Sequence, residues 1–390
     1  MISIETADNA LKSFYLDAVT NALDYKANPF LAQIERSSTN VVGKDVKKLV
    51  RCNNMGGIVA GTETGDLPAA QDVKRLQFTA PLKNLYGTIE ISDKALRASA
   101  NNEGAFVNLL NDEMQTLIQS ASYNFGRMIF GDGNGYLTKF AATPGTNSVI
   151  LEDVSNIYVG MHVDICESNG SEIEPLTNLE VTNVNYLDNM VTFGNTSSLS
   201  AMSSSNCGVR IHGVANQELT GLKAIFDNYI LYGVSKHEAP VMVPHVEANV
   251  GEITANKLQT ALDKIEEKSG KGVNFIVCSW GVRRALVEHL SQNSIMMPTM
   301  ECAGGFKAVS FNGIPVIADR FCPAGTMYLL NTEDFKIHQL CDWKWLEGED
   351  GKILKQIPGK PVYTATLVKY AELMCEKPNG QGMLTGITEA

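Results

Sequence analysis

The stretch Asn101–Phe130, NNEGAFVNLLNDEMQTLIQSASYNFGRMIF, decides how the rest of the sequence is interpreted. Its apolar residues recur at steps of three and four, which is the period of an α-helix. They are Phe106, Leu109, Leu110, Met114, Leu117, Ile118, Ala121, Phe125, Met128 and Ile129. Such a helix would be about 40 Å long, so it would cross most of a domain. A coiled coil is the alternative, but the apolar stripe is not a strict heptad.

We expect Asn101 or Asn102 to cap the start of this helix and Gly131 to end it in the left-handed conformation. Gly126, inside the helix, costs about 1 kcal/mol relative to alanine unless another group packs closely against it. The cluster Gly131–Gly135, GDGNG, has the composition of an anion or calcium loop. A phosphate loop precedes its helix, however, and a calcium loop needs further carboxylates. We therefore interpret the cluster as a helix end.

Composition indicates a globular protein that is made and kept inside a cell. The chain has 390 residues, 44% of them hydrophobic and 19% charged, which is ordinary for two or three globular domains. No apolar run is long enough for a membrane helix, and no basic start followed by an apolar block marks a signal peptide. The cysteines are scattered without a CxxC pair, so we expect reduced thiols. They are Cys52, Cys166, Cys207, Cys278, Cys302, Cys322, Cys341 and Cys375.

The formal net charge of −11 argues against nonspecific binding to nucleic acid or to an anionic membrane. The nearest approach to a basic patch is Lys44, Lys47, Lys48 and Arg51. Lysine on an edge strand prevents unwanted pairing, so we interpret these four residues as a solvated strand edge.

An arm and a projecting hairpin precede the long helix. Residues 6–26 have helical spacing and end before Asn28-Pro29, and a short turn follows at 30–35. Residues 42–53 and 73–92 have strand composition, and the polar, glycine-rich segment 53–72 joins them. Pro81 should mark an edge or a bend in the second strand. Because these strands have few large apolar residues, the hairpin must lean on another domain or chain.

Residues 148–213 resemble a separate insert of five or six short strands, best explained as a small barrel or sandwich. From Glu252 to Leu340 helices and strands alternate, which makes the fold class α+β. Here we expect a helix ending at Gly270, a helix capped by Ser279 and a hairpin turning at Asn312-Gly313. The strands 326–331 and 335–340 are assigned to this same domain. Residues 361–378 form one long strand that returns towards the helix.

No constellation of catalytic or metal-binding residues is found. HExxH, GxSxG and GxxxxGK[ST] are absent, and Glu266-Glu267 diverge as neighbours on a helix. The histidines lack ligand spacing; they are His162, His212, His237, His245, His289 and His338. Trp343 and Trp345 are either a binding platform or an anchor in a core or interface. We assign no catalytic, cofactor-binding or metal residue and no cofactor, and we expect that the chain is not an enzyme.

An ordered set of segments resembles the major capsid proteins of tailed bacteriophages, which share the Hong Kong 97-type shell fold. The set is NPFLAQIERSSTNVVGKDV (28–46), NNMGGIVAGTETGDLPAA (53–70), LKNLYGTIEISDKALRAS (82–99), GAFVNLLNDEMQTL (104–117), NFIVCSWGVRRAL (274–286) and FNGIPVIADRFCPAGTMYLLN (311–331). The resemblance covers nearly the whole chain except the insert. No single motif is decisive.

The resemblance implies a division into an N-terminal arm (1–45), an extended loop hairpin (46–84), a peripheral domain with the long spine helix (85–147), the inserted β-domain (148–213), a linker (214–235), an axial domain (236–342), the peripheral return (343–377) and a C-terminal tail (378–390). The role of the insert, which the minimal fold lacks, is a hypothesis. Some relatives cross-link a hairpin lysine to a neighbour. Lys74 lies in the matching hairpin, but no partner residues can be placed, so we predict no cross-linking.

The implied function is a shell protein that forms hexamers and pentamers and closes into the icosahedral head of a virion, assembled in the host cytoplasm. It would enclose double-stranded DNA without sequence-specific binding. The implied partners are copies of the chain, a portal and, as an option, a decoration protein. Because no charged helical segment precedes the arm, a separate scaffolding protein is also implied, unless the chain is a processed form. An encapsulin-type nanocompartment shell is the alternative. An oligomeric enzyme and a cell-surface binding protein fit less well.

Overall fold

The computed structural model describes residues 28–52, 58, 60–63, 65–66, 72–95, 103–142, 145–167, 170–173, 176–194, 199, 207–292, 299–302, 305–348 and 351–390, with residues 103–112 for the backbone alone. The predicted arm helix, the predicted caps Asn101 and Asn102, and most of the loop 53–72 lie outside these residues. The chain divides into two compact units, Met1–Gly126 with Ile225–Ala390, and Arg127–Ala224.

The described α-helices are α1 (Glu103–Phe130), α2 (Leu222–Asp227), α3 (Ala255–Ser269) and α4 (Trp280–Gln292). Short 3-10 helices cover Leu31–Gln33, Pro240–Met242, Thr332–Asp334 and Pro378–Gly380. The described strands are β1 (Glu35–Ser37), β2 (Val41–Val42), β3 (Asp45–Arg51), β4 (Arg75–Pro81), β5 (Lys83–Ser92), β6 (Tyr136–Lys139), β7 (Ser148–Ile150), β8 (His162–Glu167), β9 (Leu179–Asn185), β10 (Met190–Phe193), β11 (Cys207–Ile211), β12 (Ile230–Leu231), β13 (Val234–Ser235), β14 (His245–Glu247), β15 (Phe275–Cys278), β16 (Thr299–Cys302), β17 (Phe306–Phe311), β18 (Ile314–Ala318), β19 (Met327–Leu330), β20 (Phe335–Trp345), β21 (Lys355–Gln356), β22 (Val362–Cys375) and β23 (Gly382–Leu384).

The predicted long helix is confirmed as α1, and it ends at Phe130, directly before Gly131, but the left-handed conformation predicted for Gly131 is wrong. Gly131 does not have a positive φ; its amide donates to Met128 O at 3.1 Å, which tightens the last turn, and the left-handed conformation comes later, at Gly133 and Gly135. Another group packs closely against Gly126, which explains a glycine inside the helix. A Cβ there would lie 2.4 Å from a ring carbon of Phe321.

A five-stranded sheet forms one wall of the first unit. Its strands follow the order β1-β20-β22-β21, and β5 pairs with the other side of β22. The long strand predicted at 361–378 is confirmed as β22. The strand predicted at 335–340 is in this sheet, where it continues to Trp345 as the antiparallel neighbour of β22, whereas the strand predicted at 326–331 is in a different sheet. Helix α1 packs on this sheet, where Gly87 leaves room for the Leu117 side chain.

A seven-stranded sheet of the first unit has the order β14-β23-β19-β15-β18-β17-β16, and α3 and α4 pack on it around Leu258, Ile276 and Leu286. The local signals predicted here are confirmed. Gly270 ends α3 with φ +68, the Ser279 hydroxyl accepts from the Val282 amide at 3.4 Å, and Asn312-Gly313 turns with both φ positive.

The final residues of the chain, predicted as a separate tail (378–390), supply a strand of this sheet. Strand β23 lies between β14, to which it is parallel, and β19, to which it is antiparallel. Met383, Leu384 and Ile387 are buried. The last residues also contact α4, since the Arg284 side chain donates to the Ala390 carbonyl at 2.7 Å.

The second unit contains a six-stranded antiparallel sheet in the order β6-β11-β8-β9-β10-β7. A bridge between Phe140 and Leu151, directly after β6 and β7, joins the two end strands and closes the sheet into a small barrel. The barrel includes β6, which precedes the predicted insert 148–213. Its interior contains Val163, Val181 and other aliphatic side chains.

Secondary structure also occurs in the range 214–235, predicted as a linker: α2, β12 and β13 lie there. The predicted fold class, α+β, is confirmed. The finer division into arm, loop, peripheral and axial regions stays a prediction. Among the described residues, no helix is both long enough and apolar enough to cross a membrane.

Candidate functional site

The residues considered for chemistry do not converge. In the part of the chain that the structure describes, no group of three His, Cys, Asp or Glu side chains could hold a metal ion. His212 approaches Asp164 at 2.7 Å, but that carboxylate is buried and also accepts from the Asn178 amide, as a structural group would. Burial lowers the pKa of His245 and of His338. All eight cysteines are free.

The two tryptophans considered as a binding platform lie in the protein core. Trp343 and Trp345 are both buried. The Trp343 ring meets Phe125 edge to face, with 6.1 Å between centroids, and the Lys369 amine lies 5.5 Å from its centre. Of the two interpretations left open by the sequence, the core anchor is the one that the structure supports.

The feature that requires a functional explanation is the hairpin of β3 and β4. The two strands pair from Asp45↔Pro81 to Arg51↔Arg75, and the Cys52 amide donates to Lys74 O at 2.9 Å beyond them. After Pro81 the chain leaves this hairpin and enters the five-stranded sheet as β5, which confirms the bend expected at the proline. The hairpin therefore branches from the body of the first unit.

The base of the hairpin is buried and its outer part is not. Val46, Phe78 and Ala80 are buried near the bend. Leu49, on the same strand as Val46 but nearer the loop, is 66% exposed. Because burial decreases along the strands towards the loop, the rest of the chain packs mainly against the base of the hairpin.

Tyr232 is the anchor of this base. Its ring lies 5.8 Å from that of Phe78, and its carbonyl accepts from the Thr79 amide at 3.0 Å. Its hydroxyl donates to Leu373 O at 3.2 Å and accepts from the Cys375 amide at 3.0 Å. Strand β5 stops pairing with β22 before these two residues, so the hydroxyl takes the place of a neighbouring strand there.

The position of Tyr232 requires an uncommon backbone conformation. Tyr232 and Gly233 form the two-residue turn between β12 and β13, with φ of +51 and +78. A left-handed tyrosine costs roughly 1–2 kcal/mol, which its two buried hydrogen bonds offset. Complete burial raises the pKa of Tyr232 well above its ordinary value, so the hydroxyl keeps its proton.

A second tie at the base is ionic. Lys48 of β3 pairs with Glu376, which directly follows β22. The solvated strand edge predicted for the four basic residues holds for Lys44, Lys47 and Arg51, which are exposed. It is wrong for Lys48, whose half-buried amine has a carboxylate partner brought from a distant part of the sequence.

The sequence analysis found the hairpin but missed its anchor. One signal was present: Gly233 follows Tyr232 between the apolar residues Ile230-Leu231 and Val234, and a glycine between short apolar segments marks a tight turn. Nothing local indicated that this turn would meet β4 and the end of β22. Glu376 has no local signal either.

Comparisons with known proteins add the following. No family model matches the sequence, and no curated protein does. The solved cyanophage A-1(L) capsid asymmetric unit contains a chain that is 12% identical, with 93% of each chain covered and a TM-score of 0.56. A weaker similarity is to a structure of Mycobacterium phage Bobi, with 10% identity, 100% of each chain covered and a TM-score of 0.45. Another is to the SrpI encapsulin of Synechococcus elongatus PCC 7942, with 10% identity, 90% of this chain and 84% of that chain covered, and a TM-score of 0.44.

The similarity to the cyanophage structure extends over nearly all of both chains and concerns the fold. It confirms the Hong Kong 97-type fold that the resemblance in the sequence implied.

Proposed function

We propose that this chain, which has the Hong Kong 97-type fold of phage capsid proteins, is the major capsid protein of a tailed double-stranded DNA bacteriophage. In this proposal copies of the chain associate as hexamers and pentamers and close into an icosahedral head. The protein acts in the virion after assembly in the host cytoplasm, and its role is structural, not catalytic.

The observation that carries the proposal concerns the hairpin of β3 and β4. Its own chain packs against the hairpin only at the base. Tyr232, Phe78 and the Lys48–Glu376 pair fix where the hairpin leaves the body. Beyond Cys52 the loop has few large apolar residues with which to form a core, and Ile58, Glu63 and Asp66 are exposed. A fixed base with an uncovered outer part suits an element that packs on another copy of the chain.

The charge of the chain fits the proposed content of the shell. A net charge of −11 gives the protein little general affinity for phosphate, so DNA can be enclosed without being gripped. The partners that we propose besides other copies are a scaffolding protein, a portal and, as an option, a decoration protein.

The test is to remove the outer hairpin while keeping its base. Residues 53–73 are replaced by Asn-Gly, which can form a two-residue turn between Cys52 and Lys74, already hydrogen-bonded to each other. We expect a folded subunit, with wild-type circular dichroism and thermal unfolding, that sediments as a monomer where the wild type forms capsomers or shells.

A variant that still closes into shells would contradict the role assigned to the hairpin. The matched control is Gly61→Ala, in the same loop, because a Cβ there meets nothing within 4 Å. This control should assemble as the wild type does. The material inside wild-type particles then distinguishes a phage head, which holds DNA, from a nanocompartment, which holds a protein cargo.

A further inference from the structure

A groove of about 610 Å³ lies beside the loop end of β3, within the first unit. One wall is Lys48–Cys52 of the hairpin, and the other includes Lys268, Asp334, Lys377 and Asn379. Consecutive residues of β3 point to opposite faces of their sheet, yet all five of these residues line the groove. The groove therefore runs along the edge of the strand and not over one of its faces.

The strand edge in the groove is open. The Lys47 amide donates to Asn40 O on one side of β3, and the Cys52 amide donates to Lys74 O on the other. Alternation along the strand places the backbone groups of Leu49 and Arg51 on the side of Lys47. Strand β2 ends before it reaches them, and no other described strand pairs there. An open edge of this kind accepts an added strand.

A buried acceptor in the opposite wall lacks a donor. The side chain of Asn379 is 9% exposed, and its amide oxygen Oδ1 has no hydrogen-bond partner among the described residues. An unsatisfied buried acceptor destabilises a protein, so a backbone N–H of a peptide in the groove that donates to this oxygen would remove that cost.

The groove also has an excess of positive charge. Lys48 is paired with Glu376, and Asp334 with Lys271. The amines of Lys268 and Lys377 instead donate to the carbonyls of Val243 and Ser269, and neither forms an ion pair among the described residues. Lys377 also acts on the Asp334 carboxyl, but the described lining still has four basic side chains, Lys48, Arg51, Lys268 and Lys377, against two carboxylates, Asp334 and Glu376. Arg51 adds an exposed guanidinium at the rim. An occupant with carboxylates would complement this charge.

The chain itself contains a segment of that chemistry. Residues 53–73 include Glu63, Asp66 and Asp72 and no lysine or arginine. The Gly65 amide donates to Thr62 O at 3.2 Å, and the acidic residues Glu63 and Asp66 are exposed. Glu63 follows Cys52 by eleven positions along the chain, which can extend over about 36 Å, far enough to reach a neighbouring subunit.

We infer that this groove is the docking site for the acidic loop around Glu63 and Asp66 of a second copy of the chain. The loop lies along the open edge of β3, its backbone N–H groups satisfy Asn379, and its carboxylates meet Lys268 and Lys377. This contact rests on the proposed shell function and specifies which two surfaces of neighbouring subunits meet. Because the two surfaces differ, each subunit binds one neighbour by its loop and another by its groove, as a ring requires.

The test uses the wild-type protein and a carbodiimide, which joins a carboxylate to an amine only when the two are in contact. Unassembled subunits labelled with ¹⁴N and ¹⁵N are mixed, assembled and cross-linked, and the linked peptides are identified by mass spectrometry. We expect Glu63 or Asp66 of one isotope joined to Lys268 or Lys377 of the other. Shells that form without this link, or that show it only within one isotope, overturn the inference and leave the shell function intact. The absence of any oligomer overturns both.

A second variant gives an independent readout, because Cys52 is a free thiol in the groove wall. Asp66→Cys should yield, on mild oxidation, a ladder of disulfide-linked oligomers on a non-reducing gel. The same change in a Cys52→Ser background should yield none. If assembled Asp66→Cys particles are oxidised and the gel shows only monomers, the loop either folds back onto the groove of its own subunit or docks elsewhere. Either result contradicts the inference.

Discussion

Removing the hydroxyl of Tyr232 should destabilise the hairpin base by an amount that the structure allows us to work out. Tyr232→Phe keeps the ring against Phe78 and keeps the turn, but it deletes the group that bonds Leu373 O and the Cys375 amide. Each of these backbone groups is then buried without a hydrogen-bond partner, and each such group lowers the free energy of unfolding by about 1–3 kcal/mol. Allowing for partial relaxation, we expect the free energy of unfolding to fall by about 2–4 kcal/mol.

The assay is urea unfolding of the unassembled subunit, followed by tryptophan fluorescence. Trp343 and Trp345 are buried in or beside β20, the neighbour of β22, so they report on the sheet that Tyr232 completes. Hydrogen exchange at the Cys375 amide provides a local measure, and we expect it to become faster. The control is Tyr86→Phe, whose side chain is on the exposed face of β5.

The control should stay within about 0.5 kcal/mol of the wild type, as exposed substitutions do. A Tyr232→Phe variant that unfolds at the same urea concentration as the control, with unchanged exchange at Cys375, would refute the idea that the tyrosine hydroxyl replaces a strand.

Three further outcomes are expected. Leu117→Asp buries an unpaired charge beneath α1 and should cost more than about 4 kcal/mol, so the soluble fraction on expression should collapse. Gly208→Ala places a Cβ 1.8 Å from the hydroxyl of Tyr136 and should lower the thermal midpoint of the barrel, whereas Gly61→Ala should not. Burial raises the pKa of Asp319 from 3.8 to about 6, so its contribution to stability is complete below pH 4 and is lost as the pH rises through 6. Asp319→Asn should therefore raise stability at pH 7 by up to about 3 kcal/mol and flatten its dependence between pH 4 and 6, as measured by thermal unfolding.

Local signals in the sequence predicted the elements that depend on neighbours along the chain. The period of α1, the length of β22 and the turn at Asn312-Gly313 are all determined by residues within a few positions of each other. The break at Pro81 belongs to the same class, because proline lacks the amide that a ladder needs.

Apart from the conformation of Gly131, the errors concern contacts between distant parts of the chain. Residues 335–340 have the composition of a strand, but nothing within them indicates that β22 is their neighbour. Strand β23 has three residues, one of them glycine, and its place between β14 and β19 is set by the two edges that it joins.

The candidate site divides in the same way. The hairpin and its exposed loop follow from composition, whereas the anchor Tyr232 and the partner Glu376 become apparent only when the fold brings them to β3 and β4. The groove beside β3 is likewise built from five separate stretches of the chain, so no local pattern could have predicted it.

The central claim is that copies of this chain build a closed shell, and electron microscopy of the purified protein tests it most directly. The protein is imaged alone and after co-expression with a candidate scaffolding protein. We expect closed icosahedral particles, or hexamers and pentamers that close once the scaffolding protein is present. A stable monomer or dimer that never assembles at any concentration, with or without that partner, would contradict the account.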